Sequence, residues 1–202
     1  MDSCDVLPDV EIKDSDTISN EFLQRGVTGF IGACRYIHQL PYGYNSNRDD
    51  LLILFREGRG SCTTKHAVIA TLAEELVLPI AKNIGIYRMT EDLVTGTNEI
   101  LEGFNLPYVP MVHCFLSFRD YRVDLTEGND NGKNRPIDRF LHTETVIPNI
   151  SEKDEYLLYR NALKERILVR EELKGVDVKH ILQAREQGIK LLRSKVPTLV
   201  AD

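Results

Sequence analysis

A chain of 202 residues with 42% hydrophobic content is long enough to bury a sizeable core, as one domain or one domain with a helical appendage. Its formal charge is -6 and no dense Lys/Arg tract occurs, which argues against nucleic-acid or membrane partners. No apolar run reaches membrane-spanning length, the acidic start Met1-Asp2-Ser3-Cys4-Asp5 has no signal-peptide pattern, and the four cysteines lack Cys-x-x-Cys spacing. The expectation is a reduced, cytoplasmic protein with no structural metal and no cofactor.

Residues 1–17 are polar, acidic and unperiodic, and are expected to form a flexible arm. From about Ser19 to Gln39 the apolar stripe Phe22, Leu23, Val27, Phe30, Ile31, Cys34 and Ile37 predicts one helix. Gly26, Gly29 and Gly32 oppose it by about 1 kcal/mol each relative to Ala, so they mark either a close packing partner or local fraying. Pro41 to Asn47 is a loop by its turn chemistry, and Leu51 to Glu57 is a short amphipathic segment.

Gly58-Arg59-Gly60-Ser61-Cys62 then leads into a helix whose buried face is spelled by Val68, Ile69, Leu72, Ala73 and Leu76. Ser61 is the expected N-cap, which puts Cys62 in the first turn. There the unpaired N–H groups and the macrodipole favour thiolate over thiol, and the thiolate is the nucleophilic form. Pro79 to Met89 reads as a strand. Thr90 to Pro110 is a long connection, fit to form a lid or substrate wall.

Met111 to Thr126 reads as two alternating strands joined near Arg119-Asp120. If Val112, Cys114, Leu116 and Phe118 share a side with Tyr121, Val123 and Leu125, then His113 and Asp124 both face the other way. A loop of two or four residues gives that parity; a loop of three breaks it. Phe140 to Ile147 is a further strand candidate. Beyond Ser151 the chain turns helical: one long charged helix ending near Gly175, and a second capped by Asp177 running to about Ser194. This hairpin is expected to pack on the core or to dimerise.

A helix-starting cysteine behind Gly-x-Gly-x, then a strand histidine, then a strand aspartate followed by Leu125-Thr126, resembles the transglutaminase-like superfamily over about Gly26 to Thr126. The resemblance implies an α+β, papain-like fold, with helices that include the cysteine helix packed on an antiparallel sheet. It divides the chain into the arm 1–17, a catalytic core 18–148 and a C-terminal helical extension 149–202. It also implies Cys62 as nucleophile, His113 as general base and Asp124 as its orienter, acting on a peptide or glutamine-type amide through a thioester. Water as acceptor makes a hydrolase, and a second amine a transamidase. His66, one helical turn after Cys62, is a rival base without an evident orienting carboxylate. The Cys62 N–H can stabilise an oxyanion, with Tyr42 or Tyr44 as second donor. Arg59 reads as a solvated turn residue. Two other readings share these residues: arylamine N-acetyltransferase-like acyl transfer, and an inactive scaffold that binds through its C-terminal helices.

Overall fold

The computed structural model describes residues 3–14 and 16–196. Among these the chain is α+β, with seven α-helices and a four-stranded antiparallel sheet in the order β3-β2-β1-β4. It divides into two compact units. The first comprises 1–84, 114–129 and 145–151, and the second 85–113, 130–144 and 152–202.

In the first unit, Ser3–Val6 is a 3-10 turn, and Cys4, Leu7 and Ile12 are buried in the core. Glu11 bridges to Gly29, so the expected flexible arm is tied down over the part described; residues 1, 2 and 15 lie outside it. Two helices replace the one expected from Ser19 to Gln39: α1, Thr17–Gln24, and α2, Phe30–Gln39. The break is made by Gly26, whose φ of 74° is left-handed. The Val27 N–H donates to the Phe22 carbonyl and the Gly26 N–H to the Leu23 carbonyl, a Schellman stop that glycine makes without strain. Helix periodicity runs through this point because both helices bury the same kind of stripe; only the glycine marks the stop.

Helix α3, Ile53–Glu57, ends at Gly58, again left-handed. Helix α4 then spans Cys62–Glu75 with Ser61 at its N-cap, as expected. Val68, Ile69 and Leu72 pack it into a core with Phe22, Phe30, Leu54, Leu116 and Val123.

Strand β1 is Ala81–Met89, β2 is Val109–Phe118, β3 is Tyr121–Val123 and β4 is Phe140–Val146. The β2–β3 register pairs Phe118 with Tyr121 and Leu116 with Val123, leaving a two-residue loop, Arg119-Asp120. This is the loop length for which His113 and Asp124 have the same parity. Strand β2 is buried along nearly all its length, because it is an inner strand of the sheet.

In the second unit the connection 90–110 holds a helix of its own, α5, Thr97–Phe104, and buries Leu93, Val94, Leu106 and Tyr108. The C-terminal segment is also more broken than expected. Helix α6 is Glu152–Ala162, followed by a π turn at Leu163–Ile167, a 3-10 turn at Glu171–Leu173 and helix α7, Val178–Lys195. Tyr159, Leu163 and Ile167 are fully buried with Ile86, Tyr87, Met89 and Ile181. The Tyr159 hydroxyl donates to the Pro110 carbonyl at 2.8 Å. Asp177 caps α7 through the Lys179 N–H, and the His180 Nε2–H donates to the Phe104 carbonyl, binding α7 to the end of α5.

Gly85 lies under the Phe140 ring, where a methyl group would overlap the ring carbons. Gly85→Ala is expected to destabilise the protein by about 1–3 kcal/mol through overpacking, read as a lower urea midpoint at unchanged m-value; an unchanged midpoint would show that Phe140 gives way freely.

Candidate functional site

Cys62 is the first residue of α4, and three of its neighbours are fixed by an unusual density of buried polar contacts. Ser61 and Thr64 form a capping box, in which the Ser61 N–H donates to Thr64 Oγ1 at 3.1 Å. Thr64 Oγ1 in turn donates to Asn45 Oδ1 at 2.8 Å, and Asn45 Nδ2 donates to the Arg59 carbonyl and to Glu57. The Ser46 hydroxyl donates to Glu57, and this bond chiefly holds the Glu57 carboxyl below its ordinary pKa. The loop 42–46 is thereby bonded to the turn that delivers the cysteine. Tyr42 and Gly60 form a parallel bridge, with Gly43 N–H donating to Gly60 O and Gly60 N–H to Pro41 O, both at 3.2 Å. Gly60 has to be small: a Cβ there would stand 2.6 Å from Leu54 Cδ1 and 2.9 Å from Thr64 Oγ1. Tyr42 and Tyr44 meet edge to face, with centroids 6.1 Å apart.

Of the four cysteines, Cys62 alone is partly exposed; Cys4, Cys34 and Cys114 are buried. Cys114 Sγ lies 3.7 Å from Thr63 Oγ1. Lys82 is buried as well, and its ammonium donates to the Thr63 and Pro148 carbonyls at 3.1 and 2.9 Å.

Asp124 is 8% exposed, and its Oδ1 accepts from the Thr126 N–H at 2.9 Å and the Thr126 hydroxyl at 2.7 Å. The carboxylate is thus held at the strand end by the Thr that follows it, an Asx-turn arrangement. His113 is 1% exposed in β2, edge-on to the Tyr87 ring at 6.4 Å. Cys62 and Asp124 belong to the first unit and His113 to the second, where it is the last residue before the chain re-enters the first.

The rival base has a different occupation. His66 is fully buried, and its Nε2 accepts the Leu125 N–H at 2.9 Å, so Nδ1 carries the proton and donates to the Cys62 carbonyl at 2.6 Å. Its Nε2 is 3.6 Å from Asp124 Oδ1, so the carboxylate that the sequence did not reveal for His66 stands beside it, brought there by the fold rather than by local spacing. With both ring nitrogens committed to backbone, the neutral imidazole works as a brace between α4 and the segment after β3.

Lys65, which the sequence reading passed over, is the largest surprise in this unit. It has no exposed surface, and its ammonium donates to the His38 carbonyl at 3.2 Å, the Leu40 carbonyl and Asn129 Oδ1 at 2.7 Å. Asn129 Nδ2 returns a bond to His38 O. A lysine one helical turn into an amphipathic pattern reads as a surface residue, and nothing in the spacing signals its burial. The one signal available for Thr64 was its place three residues after Ser61, where a capping-box partner sits. Asn45, in a loop nineteen residues earlier, carried none.

Among the described residues no group of three His, Cys, Asp or Glu side chains is placed to hold a metal ion, and no helix is long and apolar enough to cross a membrane. No protein-family model matches this chain, and neither a curated protein nor a solved structure does.

Burial pushes Lys65 down to about 7 from 10.5, against the opposing charge of Asp124. Its folded pKa therefore lies below its unfolded one, and between about 7 and 10.5 the unfolded chain binds more protons at this site. The contribution of Lys65 to stability rises with pH across that window and is least favourable below it. The stability difference between wild type and Lys65→Met, measured by urea denaturation from pH 6 to 10 (about the range over which the linkage acts), is expected to grow in favour of wild type as pH rises. A flat difference would place the Lys65 pKa near its ordinary value.

Proposed function

We propose that this protein is a cysteine-dependent amide hydrolase or acyl transferase of papain-like architecture, with Cys62 as nucleophile, His113 as general base and Asp124 as the residue that orients it. The observation that carries the reading is the setting of Cys62: a partly exposed thiol at the first position of a fourteen-residue helix, in a chain whose other three cysteines are buried. The helix N-terminus favours the thiolate there. The two-residue hairpin loop and the Asp124 carboxylate fixed by Thr126 support the other two roles.

In this reading the Cys62 sulfur attacks the carbonyl carbon of a peptide or glutamine-type side-chain amide, its proton having passed to His113. The developing oxyanion is met by the Cys62 N–H, with Tyr42 or Tyr44 as second donor. When the C–N bond breaks, the nitrogen takes the proton from the imidazolium and leaves as an amine or ammonia. The thioester then passes its acyl group to water, giving a carboxylate, or to a second amine, giving a new amide. In either case His113 removes the acceptor's proton and the thiolate is restored.

The test is the pH profile of Cys62 alkylation by iodoacetamide, read by peptide mass in wild type, His113→Gln and Asp124→Asn. Wild type is expected to label at Cys62 already near pH 6, roughly two units below an ordinary thiol pKa, and His113→Gln to move the profile toward pH 8 or above, with circular dichroism showing that the fold is kept. Cys62→Ala is expected to abolish turnover of amide substrates at unchanged stability. A wild-type profile centred on the ordinary thiol value would overturn the reading and leave a binding scaffold in its place.

A further inference from the structure

The second unit contains a cavity of about 620 Å³ that the proposed chemistry does not use. Four arginines line it, Arg88, Arg135, Arg139 and Arg170, in a chain whose formal charge is -6. They are not equivalent. Arg135 is paired with Asp92 at 2.6 Å and with Asp138, and Arg88 is paired with Glu172. The Arg88 guanidinium also lies over the Tyr108 ring, 4.7 Å from its centroid, so it is held on two sides.

The other two have no carboxylate partner among the described residues. Arg170 spends one N–H on the Leu141 carbonyl at 2.8 Å, while its buried Nε has no hydrogen-bond partner. Arg139 is exposed at the cavity mouth and makes no ion pair among the described residues. Tyr108, beside Arg88, is 2% exposed, and burial and the neighbouring Glu172 carboxylate hold its hydroxyl above the ordinary phenol pKa. Four guanidiniums are met by three carboxylates, Asp92, Asp138 and Glu172, all of them on Arg88 and Arg135, so Arg139 and Arg170 leave the site with an excess of positive charge. Guanidinium forks match the oxygen spacing of phosphate and carboxylate groups. The rest of the wall is formed by the apolar Leu93, Ile137, Phe140 and Leu141 together with Thr90 and Asp138, whose carboxylate is taken up by Arg135. At this volume the cavity has room for an organic body as well as an anionic head.

The geometry points to a binding site, within the second unit, for a small molecule that joins a dianionic head group to a compact apolar body. Arg139 and Arg170 engage the head, the paired Arg88 and Arg135 frame it, and Leu93 and Phe140 take the body. The head is a phosphate monoester or a dicarboxylate, and these share the charge and the oxygen geometry the arginines require. This inference stands apart from the chemistry of Cys62 and survives its failure.

Calorimetric titration of the full chain with phenyl phosphate, phenylsuccinate and, as neutral control, benzyl alcohol tests it. At least one dianion is expected to bind saturably with a Kd of about 1 mM or tighter, weakened roughly tenfold in Arg139→Gln and in Arg170→Gln, with no binding of benzyl alcohol. Which dianion binds identifies the head group. Arg139 holds no part of the fold, so Arg139→Gln is expected to unfold at the wild-type temperature and keeps the test decisive if Arg170→Gln, having lost the Leu141 bond, is unstable. No binding of either dianion up to about 10 mM, or equal binding to wild type and Arg139→Gln, overturns the site.

Discussion

The first turn of α4 places four consecutive polar side chains, Thr63, Thr64, Lys65 and His66, in the protein interior, and each is tied to a different stretch of chain. Thr63 meets Cys114 of β2, Thr64 meets Asn45, Lys65 gathers the end of α2 and Asn129, and His66 holds Leu125. A buried polar group left without its partner costs about 1–3 kcal/mol. Sliding or rotating α4 by one residue would break these bonds together, since no two of them share a partner. The apolar stripe further along the helix gives most of its adhesion; the polar turn gives its register. Cys62 opens that turn, so the position of its backbone is set by loops at 38–45 and 125–129 as much as by the helix itself.

The second unit handles charge differently. Four of its arginines line a cavity, and the carboxylate partners of Arg88 and Arg135 are exposed. Exposed pairs of this kind add little to stability. What they do instead is fix the direction of Arg88 and Arg135, so that the charge balance of the cavity is decided by the two arginines left over. In the first unit, by contrast, the lysines Lys65 and Lys82 are buried, and each ammonium donates to backbone carbonyl oxygens, which offset part of its desolvation.

Elements carried by strong periodicity or capping chemistry were legible in the sequence. Helix α4 with its Ser61 cap, β1, the hairpin around Arg119-Asp120, β4 and the Asp177 cap of α7 all follow from side-chain pattern and local hydrogen bonding. What escaped is non-local. The halt of α1 at Gly26 depends on a left-handed backbone turn that the continuous apolar stripe conceals. The 90–110 connection hides α5 because eight residues give too few turns for a period to stand out from its polar surroundings. The N-terminal residues looked unanchored because Cys4, Leu7 and Ile12 have no regular spacing, yet each finds the core. In the candidate site the cysteine and the parity of the hairpin were readable, whereas Lys65 and Asn45 were not: their partners lie 19 to 64 residues away, and no local rule buries a lysine.

The polar hub also bears on what kind of protein this chain is. An apolar first turn of α4 would hold the helix against its neighbours at least as well, because buried hydrogen bonds contribute modestly once desolvation is counted. Polar contacts differ from apolar ones in being directional: Thr64 has to meet Asn45, and His66 has to present Nε2 to the Leu125 N–H and Nδ1–H to the Cys62 carbonyl. Directionality fixes position to a fraction of an ångström, which a docking surface built from exposed helices does not require. A nucleophile does, since its reactivity depends on where the sulfur stands relative to the atom it attacks and the base that deprotonates it. The concentration of directional contacts in the turn that carries the partly exposed cysteine is the placement that the proposed chemistry at Cys62 would need.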